Sequence, residues 1–188
     1  STGPKNQKAL DDIEGLSKKS KQLLEAKGFK TLFEIQHRSF STFLDGNDIV
    51  GKAKTGCGKT LAFVLPTVDR IIKENLSTFK RGRAPIVLCM APTRELTQQI
   101  HRDYEWIAKG HGLKATVVYG GTSFGPQCQD FREGVDIVTA TAGRILDHIK
   151  RETVKTDNIS MLVLDEADEM LNMGFQDDVE FVMDKIAN

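Results

Sequence analysis

Ala53-Lys54-Thr55-Gly56-Cys57-Gly58-Lys59-Thr60 decides the reading of this chain. It has the form A-x-x-x-x-G-K-T, a phosphate-binding loop with alanine where the first glycine usually stands. Asp48-Ile49-Val50 before it reads as a short apolar strand. Leu61, Phe63, Val64 and Leu65 after it begin an apolar helical pattern. Strand, glycine-rich loop and helix, in that order, give such a motif physical meaning. Gly56 and Gly58 lack a β-carbon, so the backbone can curl around a polyphosphate with its N–H groups turned inward. The helix adds the positive end of its dipole. Lys59 can reach the β- and γ-phosphates, and the Thr60 hydroxyl can ligate Mg²⁺.

The chain has 188 residues, enough for one domain with a sizeable core. Its 39% apolar and 28% charged content fits a soluble globular protein. No apolar run approaches the roughly 20 residues that span a bilayer, so no membrane partner is expected. Residues 1–8 are polar and carry no secretion-type apolar stretch. Cys57, Cys89 and Cys128 show no metal-ligand spacing, and their odd number favours a reducing compartment. Formal net charge is zero, so any nucleic-acid contact must be local.

Upstream of the loop, residues 1–12 are expected to be a flexible segment. Ser17 can cap a helix reaching Lys27, stopped by Gly28. A second helix is expected from about 34 to 44. Downstream, the helix after the loop should end near 74. Lys80-Arg81-Gly82-Arg83-Ala84-Pro85 reads as a solvated basic linker, with a weak RNA contact as the sharper alternative. Ile86-Val87-Leu88-Cys89-Met90 is continuous and apolar, the pattern of a strand buried on both faces. Strands are also expected at 115–119, 135–139 and 161–164, with helices at 94–109, 127–133, 141–150, 166–172 and 177–187. Leu96, Ile100, Tyr104 and Ile107 form a core-facing stripe. Five short strands alternating with helices predict an α/β, doubly wound parallel sheet in three layers. The Gly-, Thr- and Asp-rich turns all follow strand C-termini, the edge where such sheets bind ligands.

Met161-Leu162-Val163-Leu164 runs into Asp165-Glu166-Ala167-Asp168. An apolar strand ending in Asp165-Glu166 is the natural partner of a phosphate loop. Asp165 would hold Mg²⁺ opposite Thr60, and Glu166 would orient the water that attacks the γ-phosphate. Acids also favour helix starts, so a solvated helix N-terminus is the plainer reading of Glu166, Asp168 and Glu169. The four apolar residues before Asp165, together with Ala53–Thr60, favour nucleoside-triphosphate hydrolysis.

Six motifs now stand in one order: Gly28 to Gln36, Ala53–Thr60, Pro92-Thr93-Arg94-Glu95-Leu96, Gly120-Gly121, Thr141-Ala142-Gly143-Arg144 and Asp165-Glu166-Ala167-Asp168. Over residues 13–188 the chain resembles the first RecA-like domain of a DEAD-box RNA helicase, an enzyme that hydrolyses ATP. The resemblance implies that Gln36 reads adenine and Phe29 stacks on it, although Phe29 read alone fits a core residue. It implies an ATP site formed by Ala53, Lys54, Thr55, Gly56, Cys57, Gly58, Lys59 and Thr60, with Asp168 coupling it to the rest of the motor. It makes Glu166, Asp165 and Lys59 catalytic, and Thr60 and Asp165 the Mg²⁺ ligands. It implies contacts from Pro92, Thr93, Arg94, Gly120, Gly121, Thr141, Gly143 and Arg144 to the RNA sugar–phosphate backbone, independent of sequence.

Departures from the family pattern are visible. Leu32-Phe33-Glu34-Ile35-Gln36 stands for P-T-P-I-Q, so a less stiff loop is expected. Ile13 replaces an upstream aromatic, and Ala142 replaces the proline of T-P-G-R. Cys57, beside a helix N-terminus and a lysine, should have a lowered pKa and be the fast-reacting thiol. The family's S-A-T motif and its second RecA-like domain would follow Asn188. The expectation is a fragment that binds nucleotide weakly and hydrolyses it barely, monomeric by itself. Leu32-Phe33, the basic linker and Gly120-Gly121-Thr122 are similar to the nucleolar RNA helicase II (Gu) branch, which implies ribosomal RNA processing in the nucleolus. The alternatives are an ATP-binding RNA clamp or scaffold, a different P-loop enzyme, and a DNA motor. No N-K-x-D guanine motif is present.

Overall fold

The computed structural model describes residues 7–52 and 58–187. The chain divides into two compact units, Ser1–Asn75 and Leu76–Asn188.

In the first unit, Ser17 caps helix α1 (Lys18–Ala26), its Oγ accepting the Ser20 N–H at 3.1 Å. Asp69 reinforces the cap: its carboxylate accepts from the Ser17 N–H at 3.0 Å, the Ser17 Oγ at 2.9 Å and the Ser20 Oγ. The helix ends at Gly28: its N–H reaches the Glu25 carbonyl, and its φ of +88° turns the chain so that the Phe29 N–H reaches that of Leu24. Strands β1 (Gln7–Ala9) and β2 (Thr31–Phe33) pair antiparallel. A 3-10 turn, Leu10–Asp12, then buries Leu10 at 4% exposure. Residues 7–12, in the segment expected to be flexible, thus carry regular structure. A polar composition conceals this order, because the ladder uses main-chain groups and needs only Leu10 as its apolar anchor. Leu32 and Phe33 lie in the same pairing, opposite Lys8 and Gln7.

Helix α2 (Glu34–Leu44) and helix α3 (Lys59–Lys73) pack together. Pro66 lies inside α3 and cannot donate to the carbonyl of Ala62 four residues back. Ser39 of α2 replaces that donor, its hydroxyl reaching the Ala62 oxygen at 2.7 Å. The strand expected at 48–50 is not formed. Residues 47–52 carry no regular structure, and Ile49 and Val50 are 38% and 103% exposed. So short a segment, with two apolar residues after Asp48, becomes a strand only beside a ladder partner, and none pairs with it among the described residues.

The second unit holds a parallel sheet of β3 (Val87–Ala91), β4 (Ala115–Val118), β5 (Ile137–Thr141) and β6 (Met161–Leu164), in the order β4-β5-β3-β6. Helices α4 (Arg94–Gly110), α5 (Phe124–Glu133) and α6 (Ala142–Lys150) are the crossovers, and α7 (Ala167–Asn172) and α8 (Gln176–Ala187) follow β6. This is the expected α/β parallel sheet, with four strands in place of five. All five residues of β3 are buried, as its unbroken apolar run requires. The register sets Met90 against Ala140 and Leu164, and Val118 against Ala140, so all four strands end at one edge.

The opposite edge is tied by Asp136, which is fully buried. Its carboxylate accepts from Arg83 Nε and Nη2 at 2.7 Å each, the Ser77 Oγ at 2.6 Å and the Lys114 N–H at 2.8 Å. Burial pushes its pKa up, but these bonds and the Arg83 charge prevail and hold it below the usual carboxylate range. The basic segment read as a solvated linker is thus pinned, with the Arg83 side chain only 12% exposed. Gly134 (φ +94°) permits the close approach. A Cβ there would lie 2.8 Å from the Arg83 nitrogen and 2.9 Å from the Gly82 nitrogen.

Candidate functional site

In the first unit, Gln36 is the third residue of α2 and is 2% exposed. Its Oε1 accepts the Phe33 N–H at 2.8 Å, and its Nε2 donates to the Gly58 carbonyl at 3.0 Å. Gly58 caps α3 in the left-handed region, φ +71°, and a Cβ there would meet Gln36 Nε2 at 2.2 Å. Only glycine satisfies both demands. Gln36 thus grips the last glycine of the phosphate loop. Its second amide hydrogen and second Oε1 lone pair make no hydrogen bond among the described residues. Lys59 and Thr60 open α3 and are partly exposed. Phe29 follows the stop of α1 and is half-buried. Ala53, Lys54, Thr55, Gly56 and Cys57 lie outside the described residues.

In the second unit, the Asp165 N–H donates to the Met90 carbonyl at 2.9 Å, extending β6 one step past Leu164. Glu166 is exposed and sits in the left-handed region, φ +51° and ψ 48°, as the N-cap of α7. A non-glycine residue held there costs on the order of 1 kcal/mol. The turn it makes puts consecutive carboxylates at the C-terminal edge of the sheet, with exposed Asp168 in the first helical turn. A carboxylate and a hydroxyl are the hard oxygen donors Mg²⁺ prefers, which Asp165 and Thr60 each offer in their own units. Behind this edge Cys89 is fully buried. Burial first, and the Asp165 charge second, push its thiol well above the ordinary value.

The C-terminal ends of β3 and β5 open onto a groove of about 830 Å³. Pro92, Thr93 and Arg94 line it from the β3–α4 turn, Gly120 from the turn after β4, and Thr141, Gly143 and Arg144 from the start of α6. Seven of the eight residues expected at an RNA backbone therefore meet in one place. The eighth, Gly121 (φ +79°), adjoins it: a Cβ there would lie 2.4 Å from Arg94 Nη1. Thr93 caps α4 by accepting the Leu96 N–H at 3.2 Å. Arg144 donates to the Thr122 carbonyl at 3.0 Å.

A buried relay sets the Gly120-Gly121-Thr122 turn. The Gln127 amide donates to the Tyr119 carbonyl at 3.2 Å and the Thr122 hydroxyl at 2.9 Å. Its Oε1 must then face His148 Nε2, 2.9 Å away. An amide oxygen only accepts, so this amide orientation puts the His148 proton on Nε2; Nδ1 lies 2.7 Å from the Thr153 hydroxyl, whose single hydrogen also faces the His148 carbonyl at 3.0 Å. His148 is fully buried and stacks on Phe124 at 4.1 Å between centroids. Burial first, then the Arg144 charge, lower its pKa to about 4, so it is neutral near pH 7.

Phe124, Arg151, Met173 and Phe175 also line the groove, and sequence reasoning did not single them out. Arg151 had a signal: it lies seven residues after Arg144, on the same helical face. Gln127 and His148 had none, because a relay closed by tertiary packing leaves no spacing to read.

Residues 33–188 match the DEAD/DEAH box helicase family. The chain belongs to this family. It is 45% identical over 174 residues to the DEAD-box ATP-dependent RNA helicase 7 of Oryza sativa subsp. japonica, and equally so to that of Spinacia oleracea. Each alignment covers 91% of this chain and 25% of the relative. The Arabidopsis thaliana protein of that name is 44% identical over 169 residues, 88% of this chain and 25% of its own. The chain thus spans about a quarter of the length of these curated relatives. Among solved structures, the yeast DEAD-box splicing factor Prp28 superposes with a TM-score of 0.88 at 28% identity, covering 96% of this chain and 42% of that one. A DEAD box protein from the hyperthermophile Methanococcus jannaschii gives 0.81 at 35% identity, covering 94% and 46%. The α/β fold with its parallel four-stranded sheet is that of the DEAD-box RecA-like domain.

Proposed function

We propose that this chain is the ATP-binding, first RecA-like domain of an RNA-dependent ATPase that opens short RNA duplexes or remodels ribonucleoprotein. The observation that carries the reading is the groove: the Pro92–Arg94, Gly120 and Thr141–Arg144 turns, far apart in sequence, line one surface at the strand C-termini. Hydroxyls, glycine-rich turns and arginines bind phosphate without reading bases. In this reading Gln36 and Phe29 select adenine, and Lys59 and Thr60 engage the phosphates and Mg²⁺. Asp165 holds the metal, Glu166 orients the attacking water, and Asp168 couples the site to the motor. Bound Mg²⁺ would stabilise charge on the transferring phosphoryl group. Full activity needs a second RecA-like domain of the same protein, which supplies the arginines that stabilise the transition state; by itself this domain is monomeric and nearly inactive. Similarity to the nucleolar Gu branch supports work on ribosomal RNA in the nucleolus.

The test is ATP hydrolysis by the full-length protein with and without single-stranded RNA at one salt concentration, with Glu166→Gln as blank. The expected result is RNA stimulation that disappears in the blank. Hydrolysis indifferent to RNA refutes the reading and favours an ATP-binding scaffold.

A further inference from the structure

Arg94 and Arg144 reach the groove from helix starts, as the motifs lead one to expect. Arg151, at the far end of α6, lines it as well. Seven residues separate Arg151 from Arg144, two helical turns or about 10 Å along one face. A strand touching both must run along α6 rather than end on its N-terminus.

The resting contacts of Arg151 leave it ready to bind. Its side chain is 62% exposed. Nε donates to Asp147 at 2.8 Å, an exposed pair four residues apart on one helix, the weakest class of ion pair. Among the described residues neither Nη group makes a hydrogen bond. The guanidinium lies over the Phe124 ring, 4.9 Å from its centroid, and His148 stacks on that ring. A planar fork with its outer donors free, resting on a fixed aromatic plate, is suited to a phosphate oxygen. Arg144 also lies over the ring, at 5.4 Å, but spends Nη2 on the Thr122 carbonyl. Arg151 therefore has the more available outer donors of the two.

We infer that Arg151 is a further phosphate ligand of the RNA groove, extending the bound strand along α6 past the Thr141–Arg144 turn. The inference rests on the RNA reading above and adds a residue and a direction to it.

The experiment measures binding of a fluorescent oligouridylate to the full-length protein by anisotropy, across a series of salt concentrations. Arg151→Ala, Arg151→Lys and Arg94→Ala are compared with wild type. Arg151→Ala is expected to weaken binding about three- to tenfold and to lower the slope of log K against log salt by about 0.7, one single-strand phosphate contact. Arg151→Lys should restore the slope and part of the affinity, because it keeps the charge and loses the fork. A packing role would not move the slope. Unchanged affinity and slope in Arg151→Ala, with weakened binding in Arg94→Ala, overturns the inference alone. Unchanged binding in both alanine variants overturns the RNA reading of the groove and this inference with it.

Discussion

Replacing Arg83 by alanine tests what holds the second unit together. The guanidinium donates twice to Asp136, at 2.7 Å each, across a contact where the acid is fully buried. Removal leaves a buried carboxylate with the Ser77 hydroxyl and the Lys114 N–H as its remaining hydrogen-bond donors among the described residues. Breaking one side of a buried pair costs about 3–5 kcal/mol. At about 2 kcal/mol per molar, the urea midpoint should fall by about 1.5–2.5 M. Trp106, the only tryptophan, lies on α4, so its fluorescence follows this unit alone. The pH dependence supplies a second reading. Unfolded, the Asp136 carboxyl titrates near 3.9; folded, its pKa is lowered. The unfolded chain takes up the proton first, so the stabilisation is full above about pH 4 and disappears as pH falls through the folded value. Arg83→Ala should flatten that acid limb. Asp136→Asn should do so too, and the double variant should cost less than the sum of the singles because both break the same bonds. A loss below about 1 kcal/mol for Arg83→Ala, with the acid limb unchanged, would refute the reasoning.

His148 governs a different window. Its folded pKa is about 4, against about 6.5 unfolded, so its contribution is full above pH 6.5 and is lost as pH falls toward 4. His148→Gln should remove that slope, worth up to about 3 kcal/mol, from urea midpoints followed by Trp106 fluorescence; a slope unchanged between pH 6.5 and 4 would contradict a buried imidazole held neutral. For the thiols, iodoacetamide should label Cys57 before Cys89, whose burial and raised pKa keep it protonated, and nucleotide should slow Cys57. Equal rates indifferent to nucleotide, read by peptide mass spectrometry, would discount an activated Cys57.

The legible parts of this fold were those written in local pattern. The unbroken apolar run before Ala91 gave a strand buried on both faces, and Ser17 gave a helix start. What escaped depends on partners distant in sequence. Gln7–Ala9 is a strand because Thr31–Phe33 lies beside it, and nothing in its own composition says so. Asp48-Ile49-Val50 has strand composition but no ladder partner among the described residues. Lys80-Arg81-Gly82-Arg83 looked like surface charge because Asp136, which buries Arg83, is 53 residues away. Site residues followed the same division. Motif residues could be placed in sequence, whereas Gln127, His148 and Phe124 became visible only through the turn they support.

That division has a spatial counterpart in the parallel sheet. At the N-terminal edge of the strands, Asp136 collects hydrogen bonds from Ser77, Arg83 and Lys114 until little donor capacity is left for a ligand. The C-terminal edge does the reverse. Glu166 is held in the left-handed region, Gly121 gives way to the Arg94 guanidinium, and Arg151 rests with its Nη donors free of hydrogen bonds among the described residues. Strain at Glu166 is a cost that a bound ligand can offset, and the solvated Nη groups of Arg151 can exchange water for a phosphate oxygen. Substitutions at Asp136 or Arg83 should therefore change stability at constant RNA affinity per folded molecule. Substitutions at Arg94 or Arg151 should change affinity and its salt dependence at constant stability. A sheet that is satisfied at one edge and receptive at the other lets the two properties vary separately.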